Sequence, residues 1–158
     1  MKLRFLGDID INKEYHETKI HLNDRDIVLD LNLDEVIGEK DWVLQYDEYV
    51  SKLSVFRERI EEKLNEDFDE WGITKEWIDW HIEELDKQDI ERLTTGIDPK
   101  LPVDEKIFTA LNLVRVGIYP KYEEYAIWDF MLDKKISNQI LVVVTDNQGN
   151  ILDITWES

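Results

Sequence analysis

Three histidines, 37 carboxylates and no cysteine carry the reactive chemistry of this 158-residue chain, and spacing decides which of them can act together. The densest stretch is "EWIDWHIEELDK", residues 76–87, with two tryptophans, one histidine and five carboxylates in twelve positions. On a helix Trp77, Trp80 and Glu84 fall along one side with His81 beside them. Ile78, Ile82 and Leu85 form a separate aliphatic stripe, read as the core face. Both tryptophans cannot sit at the centre of that stripe, because Ile78 and Trp80 lie about 200° apart. Of the acids near His81, only Glu84 shares its face, and one histidine plus one carboxylate are too few ligands for zinc. Trp77, Trp80, His81 and Glu84 are therefore read as a candidate interaction surface, with Trp80 as an aromatic anchor among carboxylates.

Two acidic stretches can be held against a calcium loop. Asp8, Asp10 and Asn12 open with the right spacing, but Lys13 stands where glycine is needed and Lys19 where the closing acid belongs. "DLNLDEVIGEKD" comes closer: Asp30, Asn32 and Asp34 are correctly spaced, Ile37 is apolar and Asp41 closes the twelve. Glu35 replaces the turn glycine and the entering segment reads as a strand, so calcium is the minor alternative to a strand end running into a helix start. His16 and His21 are an odd number apart and point to opposite faces of a strand. No HExxH, phosphate-binding glycine loop or G-x-S-x-G occurs, no catalytic nucleophile stands out, and no cofactor is expected.

Arg115 and Asp129 each sit inside a largely apolar strand, "LVRVGIY" and "AIWDFML". A hairpin through "YPKYE" would set them opposite each other as a cross-strand ion pair, worth roughly 0.2–1 kcal/mol if exposed. A ligand-facing pair is the functional alternative.

The elements that must hold these groups follow from the hydropathy pattern. In "LRFLGDIDI" Leu3, Phe5, Ile9 and Ile11 alternate with polar residues, as Ile27, Leu29, Leu31 and Leu33 do in "DIVLDLNLD"; "ETKIHL" lies between them and "NDRD" turns the chain. From about residue 39 to 68, Trp42, Tyr46, Tyr49, Leu53, Phe56, Ile60 and Leu64 make one helical stripe. A second helix is expected from Thr74, as N-cap, to about Lys87, with a further turn or two in "DIERLTTG". "GIDPKLP" reads as a linker. "ALNLVRVGIY", "EYAIWDFML", "QILVVVTD" and "NILDITWE" return to strands, too closely spaced for crossover helices and so antiparallel. The expected fold is α+β: one antiparallel sheet of the N-terminal strands plus four C-terminal strands, with two or more central helices packed on one face, in a single domain of residues 1–158.

Charge is the dominant global feature. Nineteen basic against 37 acidic residues give −18, and residues 61–91 hold thirteen acids and three lysines, a net of −10. Such a field repels phosphate backbones and argues against nucleic-acid binding, while it attracts basic proteins. A solvated helical surface that keeps the protein soluble explains the same charge without a partner. The N-terminus lacks an apolar signal core and no run approaches a membrane span, so a cytoplasmic protein is expected.

Residues 111–158 resemble a family of uncharacterised bacterial proteins known only as a domain of unknown function (DUF). The resemblance rests on "LNLVRVGIYP", "EYAIWDF", "ILVVVTDNQGNI" and the terminal "ES". It implies a bacterial origin and an α+β fold, and carries no catalytic residues. The functional expectation is a non-catalytic acidic interaction protein, of the immunity type, that captures a basic protein partner. An enzyme or small-molecule binder with a pocket between sheet and helices, lined by aromatics such as Trp128 and Tyr119, is the alternative.

Overall fold

A computed structural model describes all 158 residues. The chain opens with a minimal hairpin, β1 (Lys2–Leu3) and β2 (Gly7–Asp8), followed by the long hairpin β3 (Tyr15–Leu22) and β4 (Arg25–Asn32). Five helices come next: α1 (Val43–Val50), α2 (Leu53–Asp69), α3 (Ile73–Glu84), α4 (Lys87–Leu93) and α5 (Val103–Thr109). A meander of β5 (Asn112–Ile118), β6 (Ala126–Met131), β7 (Ile140–Thr145) and β8 (Ile151–Glu157) closes the fold.

The α+β class is as expected, but the sheet is mixed rather than antiparallel. Its six strands run β3-β4-β5-β6-β7-β8, and β4 pairs β5 in parallel, Asp30 opposite Gly117. Parallel neighbours need a long crossover. The whole helical segment between β4 and β5 supplies it, a connection that strand spacing within the last third does not reveal.

The expected N-terminal strand in "LRFLGDIDI" is broken in two and stands outside the six-stranded sheet. Phe5 and Gly7 take left-handed φ angles of 69° and 68°, which turn the chain back on itself. Leu3 still reaches the core, whereas Phe5 is left exposed.

The apolar stripe of residues 42–64 is buried at all seven positions. It spans two helices, because the chain breaks at Ser51 and Lys52. α5 fills residues 103–109, between the expected linker "GIDPKLP" and the strand "ALNLVRVGIY", where no element was expected: Pro102 precedes it, Asp104 and Glu105 sit in its first turn where the helix dipole favours acids, and Ile107 is buried.

Strand alternation sorts the sheet into two faces. Trp128, Phe130, Leu141, Thr145 and Trp156 share the face that the helices meet; there the Tyr49 hydroxyl of α1 lies 2.6 Å from Thr145 Oγ1 and accepts from Trp128 Nε1 at 3.0 Å. Arg115, Asp129, Val142 and Thr155 lie in one row on the opposite face.

Candidate functional site

The corner between α2 and α3 presents an aromatic that the sequence reading passed over. α2 ends in a Schellman motif: Gly72 N–H donates to Asp67 O at 2.8 Å and Trp71 N–H to Phe68 O at 3.3 Å. The left-handed position of that motif, usually glycine, is held by Trp71 with φ 63°. Glycine is needed one residue later, since a Cβ at Gly72 would stand 1.9 Å from Asp67 Oδ1. Asp67 is fixed there because its Oδ2 accepts from Thr74 N–H at 2.7 Å, capping α3 from the preceding helix. Thr74, expected as the N-cap, lies inside the helix with its hydroxyl buried and unpartnered. Trp71 itself is 72% exposed, with Lys75 Nζ 4.7 Å from its ring centre.

The residues expected to form a surface on α3 divide between core and exterior. Trp77 and His81 join Ile78 with no exposed area, while Ile82 and Leu85 are only half-buried. The core stripe is therefore turned toward Trp77 and His81 from the position the aliphatics suggested. Trp80 and Glu84 remain at the surface. Trp80 is half-buried, edge-on to Trp156 of β8 at 5.7 Å. Glu76 and Glu84, one turn to either side of Trp80, are exposed.

His81 is a polar linchpin rather than a ligand. Its Nδ1 lies 2.8 Å from Trp77 O, and because a carbonyl only accepts, Nδ1 carries the proton. Nε2 then accepts from the Ser137 hydroxyl at 2.6 Å, which in turn accepts from Gln139 N–H at 3.2 Å. Gln139 Oε1 accepts from Trp156 Nε1 at 2.7 Å, so the chain of contacts returns to the aromatic beside Trp80.

Burial holds the His81 pKa below its ordinary value of 6.5. The unfolded chain therefore binds this proton more readily than the folded one. The stabilisation is complete above about pH 6.5 and declines as pH falls below it. Urea unfolding is expected to show lower stability at about pH 5 than at about pH 7, and His81→Gln to flatten that difference. An unchanged slope in the variant would place the titration elsewhere.

On the opposite sheet face Arg115 gathers three partners. Nε and Nη2 donate to the two oxygens of Asp30 at 2.5 and 2.9 Å, Nη1 reaches Asp129 Oδ2 at 3.2 Å, and Nη2 also meets the Tyr119 hydroxyl at 2.9 Å. Arg115 and Asp129 are direct cross-strand partners, but the bidentate bond goes to Asp30, which has no exposed area. The hydrogen bond to Asp30 raises the Arg115 pKa. Burial raises that of Asp129, outweighing the guanidinium already committed to Asp30. Gly117 makes room for this arrangement, since a Cβ there would sit 2.3 Å from Arg115 Nη2.

This cluster also accounts for the calcium-like stretch. Asp30 is bound to Arg115, Asn32 Nδ2 donates to Asp30 Oδ1 at 2.7 Å, Asp34 is exposed, and Asp41 pairs with Lys121 at 3.0 Å. No group of three or more His, Asp or Glu side chains is arranged to hold a metal ion.

No family model, curated protein or solved structure matches the chain. Trp128 is fully buried and Tyr119 lies on the Arg115 face, so neither lines an opening between helices and sheet. One opening between helices and sheet, ≈ 260 Å³, has Leu64, Phe108, Leu111 and Phe130 as its apolar lining, with Arg57 and Glu61 among its polar residues. Those two are engaged with each other at 2.9 Å, and Arg57 also donates to Leu22 O. The structure thus presents an acidic helical surface that carries two tryptophans, Trp71 exposed and Trp80 half-buried.

Proposed function

We propose that the protein is a non-catalytic interaction protein of the bacterial cytoplasm that captures a basic protein partner, in the manner of an immunity-type protein. The observation that carries this reading is the display of residues 61–91. All thirteen acids except Asp67, Asp79 and Asp89 are exposed. Of the three lysines, Lys75 is turned inward, where it pairs with Asp79 at 2.6 Å and Asp104 at 3.4 Å. Lys63 and Lys87 are exposed beside ten exposed acids, so the charge that reaches solvent is predominantly negative around an exposed aromatic, Trp71. A field of this kind steers a basic partner and a rigid indole supplies the buried anchor. The resemblance of residues 111–158 to a bacterial DUF family belongs to the same proposal and contributes fold, not activity. No helix is long and apolar enough to cross a membrane.

Trp71→Gly separates capture from folding. Relieving a left-handed φ on a non-glycine residue is expected to raise stability by up to about 1 kcal/mol. Loss of the anchor is expected to weaken the complex about 30-fold. Affinity capture at about 0.01 M and about 1 M salt, where the screening length falls from about 30 to about 3 Å, should retain a partner of high isoelectric point only at the lower salt. Capture that is indifferent to both salt and Trp71 would overturn the proposal.

A further inference from the structure

Resting on that reading, we infer that the partner presents an extended, lysine- or arginine-rich segment that adds as a strand to the free edge of β8. β8 is the last strand of the sheet, with β7 on one side and no strand on the other. Its outward backbone groups are open to pairing. The N–H of Ile154 donates to the neighbouring Asp153 Oδ1 at 2.9 Å. It faces away from β7 because Val143, opposite it, shares its backbone direction with Thr145, whose O accepts from Tyr125 N–H on the β6 side. Trp156, two residues on, has its backbone groups on the same side.

Side chains along this edge suit a segment that alternates basic and apolar residues. Asp153 and Glu157 are exposed on the sheet face that looks away from the helices. Ile154 and Trp156 lie on the other face, with Trp156 edge-on to Trp80. α3 lays the acids Glu76 and Glu84 to either side of Trp80. Near the other end of β8, a groove of ≈ 490 Å³ is lined by Ile151 with Glu62, Glu66 and Asp69 of α2, and by Arg59, Lys63 and Asn65. The two cations there are already engaged, Arg59 with Gln148 O at 3.3 Å and Lys63 with Glu66 at 3.6 Å. Carboxylates thus border the edge near both ends.

The opposite edge of the sheet, β3, lacks this character. Glu17 and Lys19 alternate there on one face, and His21 is paired with Asp26 at 2.9 Å. Acidic side chains at an edge also prevent self-pairing, since two copies of β8 would oppose like charges. A basic strand removes that repulsion and gains backbone hydrogen bonds, the usual source of affinity in strand addition.

The test uses two capped synthetic peptides of alternating lysine and valine, about as long as β8, one of them N-methylated at every second residue. Both carry the same charge, but only the unmethylated peptide has the full set of backbone donors. Binding is measured by calorimetry on the full chain, and amide hydrogen exchange is followed at Ile154 and Trp156. The unmethylated peptide is expected to bind at least about tenfold tighter, to protect both amides, and to lose salt dependence when Asp153→Asn and Glu157→Gln are combined. Equal binding of the two peptides without protection of β8 would overturn strand addition while leaving capture of basic partners intact. Absence of binding by either peptide, together with failure to retain any basic protein at low salt, would overturn both.

Discussion

Arg115→Met is expected to lower the stability of the fold by about 3 kcal/mol at neutral pH. The estimate follows from what the substitution leaves behind rather than from what it removes. Asp30 has no exposed area, and without the guanidinium its carboxylate keeps only the hydrogen bond from Asn32. Removing one partner of a buried pair costs roughly 3–5 kcal/mol, because the other charge stays desolvated. The Arg115 side chain is 27% exposed, which places the effect at the lower end of that range. Combining Arg115→Met with Asp30→Asn is expected to recover part of the loss, since the fully buried charge is then gone and only the Asp129 carboxylate is left without its partner. Urea unfolding of the three variants decides the matter. A single Arg115 variant as stable as the parent would mean that the cluster contributes nothing to the fold.

Gly72→Ala is expected to cost about 2 kcal/mol, although the φ of −81° at this residue suits any amino acid. The added Cβ would meet the Asp67 carboxylate at 1.9 Å, and a side chain that short can escape only by rotating away from Thr74. A lost helix cap alone costs about 1 kcal/mol. The Thr74 N–H would also remain in a buried setting with no acceptor, which adds a comparable amount. The neighbouring Trp71→Gly acts in the opposite direction, so adjacent substitutions at one corner should shift the unfolding midpoint oppositely. Asp67→Ala in the Gly72→Ala background should add little further loss; a full additional loss would show that the cap survives the methyl group.

These two sites also mark what the sequence makes legible. The pairing of Arg115 with Asp129 could be foreseen from alternation and the intervening turn, both local properties of a hairpin. Asp30, the stronger partner, lies 85 residues away and meets Arg115 only through the parallel β4–β5 contact. No local period encodes that contact. The core stripe of α1 and α2 was readable because large apolar residues recur with helical spacing. α3 was harder: Trp77, Ile78, Trp80, His81 and Ile82 surround most of the helix, and the neighbours decide which of them is covered. His81 enters the core because Ser137, from the β6–β7 loop, satisfies its second nitrogen. Trp71 carried one usable signal, a glycine immediately after it at the end of an amphipathic run. That glycine suggests a stop, yet the left-handed residue is the tryptophan before it.

The parallel contact also sets an order of events. At a synthesis rate of about 5–20 residues per second, the 85 residues between Asp30 and Arg115 take about 4 to 17 s to appear. During that interval the β3–β4 hairpin has no β5 beside it, and Asp30 must keep its charge in water. Closing so long a connection adds entropy cost before any non-local pairing is gained, which favours a slow, late consolidation of the sheet. Asp30 therefore acts as a gate in time: its burial waits for the one side chain, Arg115, that makes burial tolerable.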